Sequence, residues 1–189
     1  MKKKILITGG SGLLAINWAL SIRNNYTVTL LLHHKKISLS GVDTDVASLD
    51  SLDECLSVLV KHQPDIVVHT VGLTNIEECE SNPDLAQEVN VDLAKNIAIA
   101  CSDQGIKLVH ISTDHLFSGD QELATEESIT NPVNIYGETK LLGEQQVLEN
   151  CKDALIVRTN FFCWGTKYRQ SFSDFILNKL KNNKQSNLF

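Results

Sequence analysis

No stretch of this sequence is basic enough or apolar enough to commit it to nucleic acid or to a bilayer. Its 189 residues carry 17 lysines and arginines against 23 aspartates and glutamates, a formal net charge of -6, without a long basic run. A nucleic-acid partner would need the opposite balance, so none is expected. No apolar run approaches the ~20 residues that span a membrane, so no membrane partner is expected either. Met1-Lys2-Lys3-Lys4 has the charge of a secretory leader. Only Ile5-Leu6-Ile7 follows it before Thr8-Gly9-Gly10, too short for a leader's apolar core. The cysteines are five, an odd number, and none forms a C-x-x-C pair. That argues against a disulfide scaffold or a zinc site and for reduced thiols, hence a cytoplasmic location. Cys101 sits in an apolar helical pattern and reads as core. The histidines are scattered apart from His33-His34. Neighbours in a strand point to opposite faces, so that pair makes a poor metal site and no metal is expected. Internal repeats and low-complexity tracts are absent as well.

What is present is the composition of one globular domain, 42% apolar and 21% charged, long enough for a real core. Lys4–Thr8 reads as a short buried strand that runs at once into Gly9-Gly10-Ser11-Gly12-Leu13-Leu14-Ala15 and then a helical pattern. Strand, glycine turn and helix form the context in which a G-x-x-G-x-x-A string points to a dinucleotide site. Gly9 permits the tight turn, and Gly12 lets a pyrophosphate approach the free N–H groups of the helix start. Ala15 takes the third glycine's place and is still small. A plain glycine turn remains the simpler alternative. Thr27–Leu32 is the second strand. An NAD site usually has an acid at this strand's end to hold the ribose hydroxyls. Here stand His33-His34-Lys35-Lys36, whose positive charge suits the extra phosphate of NADP, or else forms an ordinary solvated loop.

The alternation continues. A short third strand is expected over 42–47, near an edge, then a helix over 51–62 and a buried strand at Ile66–His69 with Thr70-Val71-Gly72 at its end. Asn82-Pro83 opens a long helix that Gly105 ends. A strand over 107–111 leads to Ser112-Thr113-Asp114, and a polar loop over 119–132 is long enough to be functional. A helix around Tyr136, a sixth strand over 154–157 and a last amphipathic helix over 172–180 follow, with a polar, frayed end over 181–189. Alternating strands and helices predict an α/β fold, a doubly wound, Rossmann-like parallel sheet. Right-handed crossovers then bring the glycine turn, Gly72, Thr113 and Thr159 to one edge of it.

Tyr136 and Lys140 lie four apart, one helical turn from each other. A phenol is a weak acid with a pKa near ~10, and a neighbouring ammonium lowers it. Tyr136 beside Lys140 is therefore suited to give a proton to a developing alkoxide and take one back. The bare pair also arises by chance on solvated helices. Its weight comes from the other signals that converge on the same crevice.

These residues resemble the extended short-chain dehydrogenase/reductase family, through Thr8-Gly9-Gly10-Ser11-Gly12-Leu13-Leu14-Ala15, Ser112-Thr113-Asp114 and Tyr136-Gly137-Glu138-Thr139-Lys140. Within it the chain is most similar to dTDP-4-dehydrorhamnose reductases. Thr74 to Pro83, Ser112-Thr113-Asp114-His115-Leu116-Phe117-Ser118-Gly119, Pro132 to Gly137 and, more weakly, Arg158-Thr159-Asn160-Phe161 carry that likeness. The resemblance implies reduction of the 4-keto group of a nucleotide-linked 6-deoxy sugar, in dTDP-rhamnose and cell-surface polysaccharide synthesis. NADPH would deliver the hydride, with NADH possible. Tyr136 would be the proton donor, Lys140 would hold the nicotinamide ribose, and Thr113 would hydrogen-bond the substrate oxygen. Ser11, Gly12 and Leu13 would contact the pyrophosphate, with Gly9 in the turn. His34 and Lys35 would take the 2′-phosphate, Ser48 and Leu49 the adenine side, and Val71 and Gly72 the middle of the cofactor. Thr113, Asp114 and Phe161 would face the sugar. A homodimer is an open expectation.

The chain departs from the family's pattern. Ser48 stands where an aspartate is usual, His115 where a tyrosine is, and Phe161 where a tryptophan is. The last two lie on the substrate side and bear on the identity of the sugar. Family members continue into a C-terminal lobe that closes over the nucleotide sugar. The expectation is thus a single NAD(P)-binding domain over residues 1–189, truncated before that lobe. Two other readings stay open: another nucleotide-sugar epimerase or reductase of the same family, and a binding module without turnover, as in the similar regulatory subunit of methionine adenosyltransferase.

Overall fold

The computed structural model describes residues 2–120, 123–166, 168 and 170–182. Six parallel strands form one sheet: β1 (Lys4–Thr8), β2 (Thr27–Leu32), β3 (Asp43–Val46), β4 (Ile66–His69), β5 (Lys107–Thr113) and β6 (Leu155–Thr159). Their spatial order is β3-β2-β1-β4-β5-β6. Every pairing is parallel, with Ile5 opposite Val28 on one side and Ile66 on the other. This is the doubly wound, Rossmann-like arrangement, and its order reverses between β1 and β4.

The strands read as unbroken apolar runs because both faces are covered. Ile5, Ile7, Val28, Leu30, Leu32 and Val68 pack on one face with Ala15 and Ala19 of α1 (Leu13–Ile22). Leu6, Leu31, Val67 and Leu108 pack on the other. There they meet Cys55 and Leu59 of α2 (Leu52–His62), Ile97 and Cys101 of α5 (Leu93–Asp103), and Val147 of α6 (Ile135–Asn150). Helix α2 starts where Ser51 and Glu54 form a capping box, each satisfying the other's backbone N–H. The five cysteines are free, and all but Cys163 are buried. Among the described residues, no helix is long and apolar enough to cross a membrane.

The connection between β4 and β5 differs from the single long helix expected over 82–105. It holds α3 (Ile76–Ser81), α4 (Pro83–Gln87), a π turn over Glu88–Asp92, and then α5. The π turn adds a residue to one helical turn, and such insertions cluster at functional sites. Strand β5 runs two residues further than expected, to Thr113, and β6 is shifted to Leu155–Thr159. The last helix, α7, spans Phe172–Lys181 behind a Ser171/Asp174 capping box. The frayed end expected at the C-terminus lies, from residue 183, outside the described residues.

Candidate active site

A cleft of about 580 Å³ opens at the carboxyl ends of the strands, where the strand order reverses. One wall is the β1–α1 turn. Gly9 has φ +65°, the left-handed region, and bends the chain so that Gly12 N–H donates to its carbonyl at 2.8 Å. Gly10 has a different reason to be glycine. A Cβ there would lie 2.7 Å from the Leu30 Cβ, and its N–H donates to Leu31 O at 2.8 Å. With Gly12 as N-cap, the first N–H groups of α1 carry no side-chain cap and face the cleft.

The opposite wall is α6. Asn134 caps it by accepting from Gly137 N–H at 2.8 Å, and the Glu80 carboxylate of α3 accepts from Ile135 N–H at 2.8 Å. Gly137 lets the loop after β5 pass close by, since a Cβ there would meet His115 O at 2.6 Å. The His115 ring then stands edge-on to Tyr136, 5.6 Å between centroids. Lys140 is 4% exposed and donates from Nζ to Ile111 O at 2.7 Å. Desolvation brings its pKa down to about 8, partly opposed by the Glu144 carboxylate. Burial holds the Tyr136 phenol above its ordinary range, with the Thr113 hydroxyl acting the other way. The lowering expected of the phenol is thus not found here. Lys140 is turned to the Ile111 carbonyl instead, and burial dominates.

Eleven of the residues read from the sequence line this one cleft: Gly9, Ser11, Gly12, Leu13, Val71, Gly72, Thr113, Asp114, Tyr136, Lys140 and Phe161. Four do not. His34 and Lys35 are exposed just past β2, and the Lys35 ammonium rests 3.9 Å from the centre of the Tyr168 ring. Tyr168 in turn donates to Ser11 O at 3.0 Å, which ties that basic loop to the glycine turn. His33 and His34 lie beyond the strand, so their rings come within 3.6 Å rather than pointing to opposite faces. The Ser48 hydroxyl is taken up by Glu54 at 3.2 Å, and the Leu49 side chain is buried in the core.

Asn90 was missed. It sits in the π turn, 1% exposed, and its side chain serves three partners. Its Oδ1 accepts from Leu73 N–H at 2.8 Å, and its Nδ2 donates to Leu73 O at 3.2 Å and to Thr139 Oγ1 at 3.0 Å. It thereby joins the loop after β4 to α6 one residue before Lys140. Nothing in the sequence singles it out, since an asparagine between Val89 and Val91 reads as an ordinary polar position in an apolar helical pattern. Beneath Lys140, His69 and His110 are fully buried with their rings 5.5 Å apart. Desolvation keeps both neutral: His69 is lowered to about 3 and His110 falls well below its usual value. Thr8 Oγ1 and His69 Nδ1 share a hydrogen bond of 2.9 Å.

With this geometry in view, the sequence matches the family described as the RmlD substrate binding domain over residues 2–189. The chain belongs to the RmlD substrate binding domain family. It is 39% identical over 106 residues to the dTDP-4-dehydrorhamnose reductase of Salmonella typhimurium, covering 56% of this chain and 36% of that protein. It is 34% identical over 158 residues to methionine adenosyltransferase 2 subunit beta of Bos taurus, covering 82% and 46%. The crystal structure of dTDP-4-dehydrorhamnose reductase from Bacillus anthracis in complex with NADP superposes with a TM-score of 0.76 at 28% identity, over 96% of this chain and 61% of that one. This RmlD-family chain thus spans less than half the length of either curated relative.

Proposed function

We propose that this chain is the NADPH-binding part of a reductase that converts the 4-keto group of a nucleotide-linked 6-deoxy sugar to a hydroxyl, as in dTDP-rhamnose synthesis. The observation that carries the reading is the meeting of Thr113, Tyr136 and Lys140 in one cleft with the glycine turn. Membership of the RmlD family and the NADP held by the Bacillus anthracis enzyme support it.

The cleft suits a dinucleotide. Its floor is kept free of side chains at Gly12, where a Cβ would meet Gly9 O at 3.0 Å, and at Gly72, where one would meet Asn90 Oδ1 at 3.3 Å. Ser11, Gly12 and Leu13 would hold the pyrophosphate, and Val71 and Gly72 the middle of the cofactor. Lys140 would hold the nicotinamide ribose. His34 and Lys35 would take the 2′-phosphate after Lys35 leaves the Tyr168 ring. When bound, the cofactor supplies the hydride that reduces the carbonyl carbon. Thr113 orients the carbonyl oxygen, and Tyr136 gives it the proton. The raised phenol pKa keeps that proton on Tyr136 until it is needed. The Lys140 ammonium, charged below about pH 8, would serve the cofactor's ribose hydroxyls as a donor rather than the phenolate. Asp114 and Phe161 line the sugar side.

A second reading has its own support: a subunit of methionine adenosyltransferase matches over 158 residues, so a dinucleotide-binding module without turnover is the alternative. The test is a fluorescence titration with NADPH and NADH, followed by keto-sugar turnover for wild type and Tyr136→Phe in the full-length protein. The expected result is tighter binding of NADPH than NADH. The variant should bind NADPH unchanged and lose turnover by about 10²–10⁴-fold. Binding of neither nucleotide overturns both readings. Binding without wild-type turnover favours the module.

A further inference from the structure

Among the described residues, one lysine and one acid are buried: Lys140 at 4% and Glu144 at 3% exposure. They lie four apart on α6, with Glu144 one turn beyond Lys140. Glu144 does not reach for Lys140. Its carboxylate is gripped by the guanidinium of Arg158 on β6, with Nη2 to Oε2 at 2.8 Å and Nε to Oε1 and Oε2 at 3.1 and 3.2 Å. A planar fork of this kind fixes the carboxylate's orientation. A buried ion pair is no stabiliser by default, because apolar residues of the same volume often do as well or better. The pair therefore calls for a use.

The surroundings of Lys140 supply one. On its own helix stand Tyr136, a neutral phenol, and Glu144. From the π turn comes the neutral amide of Asn90. From β4 and β5 come His69 and His110, which desolvation keeps neutral. Asp114 belongs to the same cleft but is exposed at its mouth. Arg158, on β6, adds positive charge further off. Glu144 alone brings buried negative charge to the ammonium.

We propose that Glu144 is a positioning residue for Lys140: its carboxylate, oriented by Arg158 and buried one helical turn behind the ammonium, favours the charged form of Lys140 in the cleft. The proposal rests on the reading that Lys140 works as a cation in this cleft. The same pair ties α6 to the end of β6, so the strand that leads into Thr159, Asn160 and Phe161 is fastened to the helix that carries Tyr136 and Lys140.

The test is a side-chain NMR titration of lysine-labelled protein, without nucleotide. Lys140 should titrate near 8 in the wild type. In Glu144→Gln it should titrate about one pH unit lower, a tenfold larger neutral fraction at a given pH. Arg158→Lys, which keeps a charge pair, should leave it near the wild-type value. A folded Glu144→Gln whose Lys140 titrates with the wild type overturns the proposal. A second measurement needs no variant: the Glu144 carboxyl signal of the wild type should shift as Lys140 loses its proton. A Glu144 signal flat through that range overturns the proposal too. Failure to bind NADPH would sink the reductase reading and leave these titrations untouched, so the two failures are distinguishable.

Discussion

At residue scale, Lys140 sets function against stability. Folding brings its pKa from 10.5 to about 8. Between those values the unfolded chain binds more protons than the folded one, so stability rises with pH across that window. Each tenfold change in proton affinity is worth about 1.4 kcal/mol, so below about pH 8 the charged side chain costs the native state about 3 kcal/mol. The bond to Ile111 O returns about 1 kcal/mol of it. Lys140→Met should therefore stabilise the protein by about 1–2 kcal/mol at pH 7, remove the rise in stability above pH 8, and weaken NADPH binding. Urea unfolding at pH 7 and pH 9.5 and a fluorescence titration would check this. Destabilisation at pH 7 would show that the lysine's packing outweighs its charge. Tyr136, Lys140 and Thr113 were legible in the sequence because helix spacing and strand ends are local. Asn90 was not, because its partners Leu73 and Thr139 stand 17 and 49 residues away.

At the scale of elements, the cleft depends on how closely α6 approaches the π turn. A methyl group on Gly143 would overlap the Asn90 carbonyl, so no side chain fits between them. Gly143→Ala should push the two apart by a few tenths of an ångström or more. The expected cost is about 1–3 kcal/mol of stability, as for overpacking elsewhere, together with weaker NADPH binding as Asn90 and Lys140 shift. Thermal unfolding and the nucleotide titration would check it, and an unchanged protein would mean that α6 has room to give. The strands, α1, α2 and α6 could be read from apolar runs, glycines and caps. The short α3 could not, because its six residues bury only Cys79 and so show no period. The end of β6 was misplaced because Arg158 and Thr159 are polar, and the strand continues there through the Glu144 pair.

At the scale of the whole molecule, the neutral histidines under the sheet's edge fix its response to acid. In the unfolded chain a histidine takes a proton near pH 6.5, whereas His69 does so only near 3 and His110 well below its usual value. Their contribution is present above the unfolded value and is lost as pH falls through the window beneath it. From pH 6.5 to 4.5 His69 alone removes about 2 kcal/mol, a large part of the stability of a small domain, and His110 acts in the same direction. Urea midpoints should drop steeply across that range, and a His69→Asn, His110→Gln variant should flatten the slope. A wild type equally stable at pH 7 and 4.5 would contradict the burial of both rings. The sheet itself follows a different logic. Its strand order places β1 beside β4, a seam between residues 61 apart in sequence. With β2 and β3 alone beside β1, the glycine turn would face open water. The groove comes into being only when the later strands arrive. Whatever settles in it touches both halves, and so acts as a clasp on a finished object rather than as a template for making one.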